Sequence, residues 1–242
     1  MSNQLFGNQD SINMRETKVG LVVAIHESEK HRPNGMYLFS QYIDAIFHSV
    51  DYPFKVYAFD NASTTPVVLE EPNEALQITR VEDQYPGGCT YAWNEGIKQA
   101  LDEGCEVVII TSDDQIYNET INNFIDEIVS NKKNGNAIFG PLSNNPNNTY
   151  QKANGPSDFV KEISGDPHDE LNGFCLAMTR ETIEKNFYDD ERNFFSTDPK
   201  CKWGGQDVEV QSRVDTSFIV GTCYVHHMKV GGWRQIRASE NG

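Results

Sequence analysis

Two acidic side chains stand together in this chain, Asp113 and Asp114, directly after the apolar run Glu106 to Thr111 (EVVIIT) and before Gln115. Adjacent carboxylates repel each other and cost stability unless a cation or a cluster of donors offsets them. Hard oxygen ligands of this kind suit Mg²⁺ or Mn²⁺, which typically bridge one or two protein carboxylates to substrate phosphates. A solvated loop is the bland alternative. A second polar cluster, Asp60-Asn61-Ala62-Ser63, follows the strand-like run Phe54 to Phe59 (FKVYAF). In an open α/β sheet ligands bind outside the carboxyl ends of strands, so both clusters fall where a site is expected.

The elements that must position these residues follow from hydrophobic spacing. Val19 to Ile25 (VGLVVAI) is a short continuous apolar run of strand length. Tyr37, Leu38, Tyr42, Ile43, Ile46 and Phe47 recur at helical spacing after the Pro33-Asn34-Gly35 break. Leu76 to Val81 reads as a strand and Cys89 to Leu101 as a helix with Tyr91, Ile97 and Leu101 inward. Asn118 caps a helix whose apolar face is Ile121, Phe124, Ile125 and Ile128, and Ala137 to Phe139 restores a strand. Pro141 to Pro167 is poor in apolar residues and reads as a long surface loop. Leu171 to Met178 (strand), Arg180 to Phe187 (helix), Asp207 to Val214 (helix) and Ser217 to Val225 (strand) complete the pattern. Strands alternating with helices imply an α/β fold: one mainly parallel sheet with helices on both faces.

Composition narrows the function classes. At 242 residues the chain fits one domain, and 38% hydrophobic with 23% charged residues argues for a folded core. A net charge of −16 disfavours nucleic acid and anionic lipid as partners. No apolar run is long enough to span a bilayer, and no transmembrane segment is expected. The first residues lack the hydrophobic stretch of a signal peptide. Five scattered cysteines fit reduced thiols, and the sequon at Asn61 would place a glycan inside the expected pocket, so a cytoplasmic setting is expected.

Five pieces in order, VGLVVAIHES, FDNAS, GGCTYAWNEGI, ITSDDQ and the later set LNGFCLAMTRETIE, WGGQDVEVQSR and YVHH, give the chain a resemblance to a known family. From Val19 to about Trp233 it resembles the nucleotide-sugar-dependent glycosyltransferases of the GT-A fold, in particular the large inverting family that includes rhamnosyltransferase-like enzymes. That likeness implies a GT-A domain over residues 18–235, and the polar, aperiodic residues 1–17 and the tail 236–242 are expected to be flexible arms. It implies a UDP, GDP or dTDP sugar donor, a glycan or other hydroxyl acceptor, and Mn²⁺ or Mg²⁺ as cofactor.

Residue by residue, the resemblance implies that Ile25, His26 and Glu27 edge the nucleoside pocket, with Asn61 inside it, and that Asp60 hydrogen-bonds the base. Asn94 stands in the family's Asn-x-Gly position beside the donor, where the Gly87-Gly88 turn lets backbone approach it. Asp113 contacts the ribose or donor sugar and Asp114 binds the metal, with His226 or His227 completing the metal or diphosphate site. Gly173 lines the sugar and acceptor site, with Trp203 stacking on a sugar ring. Asp207 is the expected general base, a helix N-terminal residue being the alternative role. Gln206 departs from the family's more common Glu. Lys229, Trp233 and Arg234 form a candidate lid. Trp203-Gly204-Gly205 also resembles a segment of some retaining enzymes, so either stereochemical outcome is open. Two rivals stay open as well: a sugar-1-phosphate nucleotidyltransferase, whose Gly-rich basic loop HESEKHRPNG matches poorly, and a non-catalytic nucleotide- or carbohydrate-binding module.

Overall fold

The fold is that of a computed structural model, which describes residues 16–27, 32–69, 71–81, 88–130, 135–163, 170–201 and 205–229. The apolar run of β1 (Val19–Ile25) is buried on both faces, as a central parallel strand requires. It pairs in parallel with β2 (Phe54–Asn61) on one side and β4 (Val107–Ser112) on the other, while β3 (Leu76–Val81) continues the sheet beyond β2. β8 (Cys175–Thr179) enters antiparallel between β4 and β6 (Ala137–Ser143), and β9 (Thr216–His227) runs parallel to β6. β5 (Gln115–Ile116) and β7 (Val160–Ile163) both pair antiparallel with β9. The strands β1, β2, β3, β4, β6 and β9 therefore share one direction, and the expected mainly parallel α/β sheet is what forms.

Both faces are covered. Leu21, Val23 and Ile25 of β1 pack with α1 (Gly35–Ser49) through Phe39, Tyr42 and Ile46, and with α3 (Thr120–Ser130) through Phe124, Ile125 and Ile128. Val22 points to the other face, against Ala92, Ile97 and Leu101 of α2 (Gly88–Asp102), where Ile183 of α4 (Arg180–Lys185) and Val210 of α5 (Gln206–Gln211) also lie. Each such buried aliphatic side chain contributes roughly 1.5–3 kcal/mol. Gly96 is what lets α2 lie flat on β1, because a Cβ there would sit 2.3 Å from Val22 Cγ1. No helix among the described residues is long and apolar enough to cross a membrane.

Three sequence expectations need correcting. The 141–167 stretch is not structureless: β6 runs on to Ser143 and Val160–Ile163 forms an edge strand. Only the last residue of that edge strand is buried, so it lacks the alternation that marks a strand in sequence. The segment from Leu171 to Phe174 is not strand, since β8 begins at Cys175. Tyr91, expected inward, is 40% exposed. The candidate lid residues Trp233 and Arg234, with residues 1–15 and 230–242, lie outside the described residues.

Two features of this fold build the site. The chain leaves β1 for β2 and β3 on one side and returns to β4 on the other, so the carboxyl ends of β1 and β4 flank a topological switch point. β9 shifts register against β6 between Pro141 and Leu142, and its last two residues then pair with β5. That shift carries the end of β9 to the acidic turn after β4.

Candidate functional site

The acidic turn resolves the repulsion between Asp113 and Asp114 by giving each its own partner. Asp113 is almost fully buried and takes a two-pronged grip from Arg32, whose guanidinium nitrogens donate to its two oxygens at 2.6 and 2.7 Å. Burial pushes the Asp113 carboxyl up to about 6, against the downward pull of Arg32, and the neighbouring Asp114 adds to the rise. Asp113, expected at the ribose or donor sugar, thus has each of its oxygens engaged once within the protein by this ion pair. Arg32 was not singled out in the sequence, although the need for a donor beside the paired carboxylates was.

Asp114 faces the end of β9. Strand alternation sends His226 outward, where it is exposed, and turns His227 inward with its side chain 12% exposed. His227 Nε2 lies 3.4 Å from Asp114 Oδ1, so of the two histidines only His227 stands at the acidic turn. The His227 backbone is clamped by Asn144, which accepts from its N–H at 2.7 Å and donates to its carbonyl at 3.2 Å. Its ring stacks on Phe174, with centroids 5.5 Å apart and planes 24° from parallel. The carboxylate suits Mn²⁺ or Mg²⁺, and neutral imidazole is a competent ligand for Mn²⁺. Among the described residues no third His, Cys, Asp or Glu joins them, so at this site a metal would take its remaining ligands from substrate phosphate and water.

Across Phe174 lies the candidate base. Asp207 stands at the start of α5, and its Oδ2 accepts from the Gly173 N–H at 2.9 Å while Oδ1 accepts from Val208 N–H at 3.1 Å. Gly173 is a glycine for a steric reason, since a Cβ there would sit 2.8 Å from Asp207 Oδ2 and 2.9 Å from Asp207 Cβ. The two residues expected at the sugar site are therefore in contact. Gln206, the departure from the family pattern, is buried and donates to Thr90 Oγ1 at 2.8 Å, which ties the start of α5 to the start of α2. Burial, with the charge of Asp207 adding to it, raises the Cys89 thiol to about 12. Trp203 lies outside the described residues.

The loops after β1 and β2 form the third part. Asp60 is fully buried: its Oδ1 accepts from Ser63 N–H at 3.1 Å, and its Oδ2 from Val67 N–H at 2.9 Å and Arg80 at 2.7 Å. Burial by itself raises this carboxyl, yet the hydrogen bonds from Ser63, Val67 and Arg80 outweigh it and hold the group below the usual carboxylate range. Asp60 thus shapes the loop rather than presenting a free carboxylate to a base. Its neighbour Asn61 is buried too, and Asn61 Oδ1 has no hydrogen-bond partner among the described residues. His26 Nδ1 lies 2.8 Å from the Asn61 carbonyl and so joins the two strand ends. Glu27 lies against the loop after β2, its N–H donating to Ser63 Oγ at 2.9 Å, while its carboxylate accepts from Met36 N–H at 2.9 Å, at the start of α1. Ile25 is a core side chain.

Asn94 is the clearest correction. It is 2% exposed, its Oδ1 accepts from the N–H groups of Phe194 and Phe195 at 3.0 and 2.8 Å, and its Nδ2 donates to the Phe195 carbonyl at 3.0 Å. The Asn-x-Gly pair is therefore a packing device, Asn94 bracketing the 194–195 segment and Gly96 seating α2 on β1.

No protein-family model and no curated protein sequence matches the chain. Solved structures do. The crystal structure of GalNAc-T7 with UDP, GalNAc and Mn²⁺ covers 88% of this chain at 14% identity and a TM-score of 0.60, and the chain covers 44% of it. The structure of S. aureus TarS 1-349 covers 87% at 13% identity and a TM-score of 0.57, and its complex with UDP-GlcNAc covers 88% at 14% identity and 0.56. The chain spans about 60% of the TarS structures' length. With the parallel strands β1 to β4, the antiparallel β8 and the acidic turn after β4 in this arrangement, the chain has the GT-A fold that these structures share.

Proposed function

We propose that the protein is a metal-dependent glycosyltransferase that moves a sugar from a nucleoside diphosphate donor to an acceptor hydroxyl with inversion, Asp207 acting as general base. The observation that carries this reading is that two consecutive residues bring together an oxygen-nitrogen donor pair and a carboxylate: Phe174 stacks on His227, which lies 3.4 Å from Asp114, and Gly173 N–H donates to Asp207. The UDP, UDP-GlcNAc and Mn²⁺ bound by the structural relatives support a uridine nucleotide and a divalent cation. Five unpaired cysteines support a reducing compartment such as the cytoplasm.

In this account Asp114 and His227 would hold Mn²⁺ or Mg²⁺, which would supply positive charge to offset that of the departing diphosphate. Arg32 fixes the turn that carries Asp114 by gripping Asp113. The nucleoside lies against the loops after β1 and β2, where the buried Asn61 Oδ1 is the acceptor for a base N–H and Asp60 holds the loop in shape. Each Asp207 oxygen uses one lone pair on a backbone N–H and keeps another for the acceptor hydroxyl. As the acceptor oxygen bonds to the anomeric carbon, its proton passes to Asp207. The bond from that carbon to the phosphate oxygen breaks, leaving its electron pair on the nucleoside diphosphate. Removal of a general base typically costs about 10²–10⁴ in rate. Asp207→Asn keeps the shape and, with its one oxygen on the Gly173 N–H, gives up only the Val208 bond, so it is expected to lose transfer by that margin with UDP affinity intact. Normal turnover in this variant would sink the assignment, and the anomeric configuration of the product, read by NMR, tests inversion.

A further inference from the structure

Metal-binding histidines are usually aimed by a hydrogen bond from the second ring nitrogen to a carboxylate, carbonyl or water, and that bond fixes ring orientation. At His227 the orienting contact among the described residues is a ring. Its Nδ1 is buried and finds no hydrogen-bond partner among the described residues. Asn144 hydrogen-bonds its backbone N–H and carbonyl, which leaves the two side-chain torsions to packing. The flat face against which the imidazole packs is Phe174, 4% exposed and nearly parallel to it.

Phe174 is itself held unusually firmly for a residue outside a strand. Its carbonyl accepts from Ser112 N–H at 3.2 Å and from Gln115 Nε2, both on the acidic turn. Gln115 is fully buried, and its Oε1 accepts from Tyr117 OH at 2.6 Å and Thr111 Oγ1 at 3.0 Å. The turn that carries Asp114 therefore also fixes the residue that carries the stacking ring. Both candidate ligands are referenced to one rigid piece of the molecule, although they lie at the ends of different strands.

Resting on the metal reading proposed above, we infer that Phe174 is a positioning residue that aims the His227 imidazole at Asp114 by stacking on it, with Gln115 fixing Phe174 to the acidic turn. The phenyl ring touches neither donor nor acceptor in this account. It acts through His227 alone, by limiting rotation of the imidazole about its side-chain torsions.

The test measures Mn²⁺ affinity directly, by the loss of the free-ion electron paramagnetic resonance signal on titrating the full chain in saturating UDP. Loss of an orienting partner of a metal ligand typically weakens metal binding about 10- to 100-fold. Phe174→Leu is expected to weaken Mn²⁺ by at least the lower figure with metal-free UDP affinity unchanged, and Phe174→Tyr, which keeps the flat ring, is expected to restore it. Phe174→Met fills the same space without a flat face and carries the same expectation if the Leu variant does not fold. In a His227→Ala background Phe174→Leu should weaken Mn²⁺ no further. Wild-type Mn²⁺ affinity in folded Phe174→Leu, or an equal loss in the His227→Ala background, overturns the positioning role alone. A wild-type chain that takes up no Mn²⁺ beside UDP overturns both this role and the metal reading on which it rests.

Discussion

Adding one methyl group at Gly173 puts the new Cβ 2.8 Å from Asp207 Oδ2, 2.9 Å from Asp207 Cβ and 3.1 Å from Asp207 Cγ. Carbon contacts sit comfortably at about 3.5–4.0 Å, so Gly173→Ala forces the carboxylate to retreat by roughly 0.5 Å or more. Gly173 is not among the described residues with positive φ, so alanine is tolerated by the backbone and the effect is steric. The retreat stretches the Gly173 N–H bond to Asp207, now 2.9 Å. Overpacking of this kind costs about 1–3 kcal/mol of stability. Displacing a catalytic group by about 1 Å costs on the order of 10²-fold in rate, so the half-ångström shift is expected to lower kcat about 10-fold or more. The assay pairs thermal melting with initial rates of UDP release from a UDP sugar, and UDP affinity is the control that should not move. A Gly173→Ala protein with wild-type melting and wild-type kcat would refute the claim that Gly173 and Asp207 form one site.

Asn94→Ala leaves the N–H groups of Phe194 and Phe195 and the Phe195 carbonyl without their partner. At about 1–3 kcal/mol for each stranded buried group, it should destabilise the fold by several kcal/mol while leaving UDP affinity unchanged, as chemical denaturation and calorimetry will read. Asp113, raised to about 6 in the fold, favours the protonated folded form, so its contribution to stability is fullest below the ordinary carboxylate range and is lost as pH rises through about 6. Metal-free wild-type protein should therefore lose stability between about pH 4 and 6 relative to Asp113→Asn, by on the order of 2–3 kcal/mol. Parallel unfolding curves of the two proteins across that range would contradict the claim that burial outweighs the Arg32 pairing at Asp113.

Much of this molecule was legible in its sequence, and the misses have physical causes. β1 was plain because a central parallel strand is apolar on both faces, and α3 because its buried residues keep helical spacing. The acidic turn was plain because two adjacent carboxylates demand compensation. The identity of the compensating groups was not, since Arg32 lies 81 residues from Asp113 in the chain and no local pattern encodes that pairing. His226 and His227 must face opposite sides of a strand, yet which one turns inward depends on the register of β9 against β5. Asn94 was misread because a motif beside a ligand can serve packing as well as recognition, and only the partners of its amide separate the two. The orienting roles of Asn144, Gln115 and Phe174 gave no signal, since residues that orient others carry no distinctive chemistry of their own. β7 escaped because its exposed Lys161 and Glu162 protect a sheet edge and erase the apolar alternation.

The central claim is that Asp114 and His227 make nucleotide binding depend on a divalent cation, and calorimetric titration of the full chain with UDP, with and without Mn²⁺, tests it most directly. The account predicts that Mn²⁺ tightens UDP binding to the wild-type chain at least 10-fold, and that Asp114→Asn abolishes this gain while keeping the metal-free affinity. Equal UDP affinity with and without Mn²⁺ in the wild type, or an undiminished gain in Asp114→Asn, would contradict it.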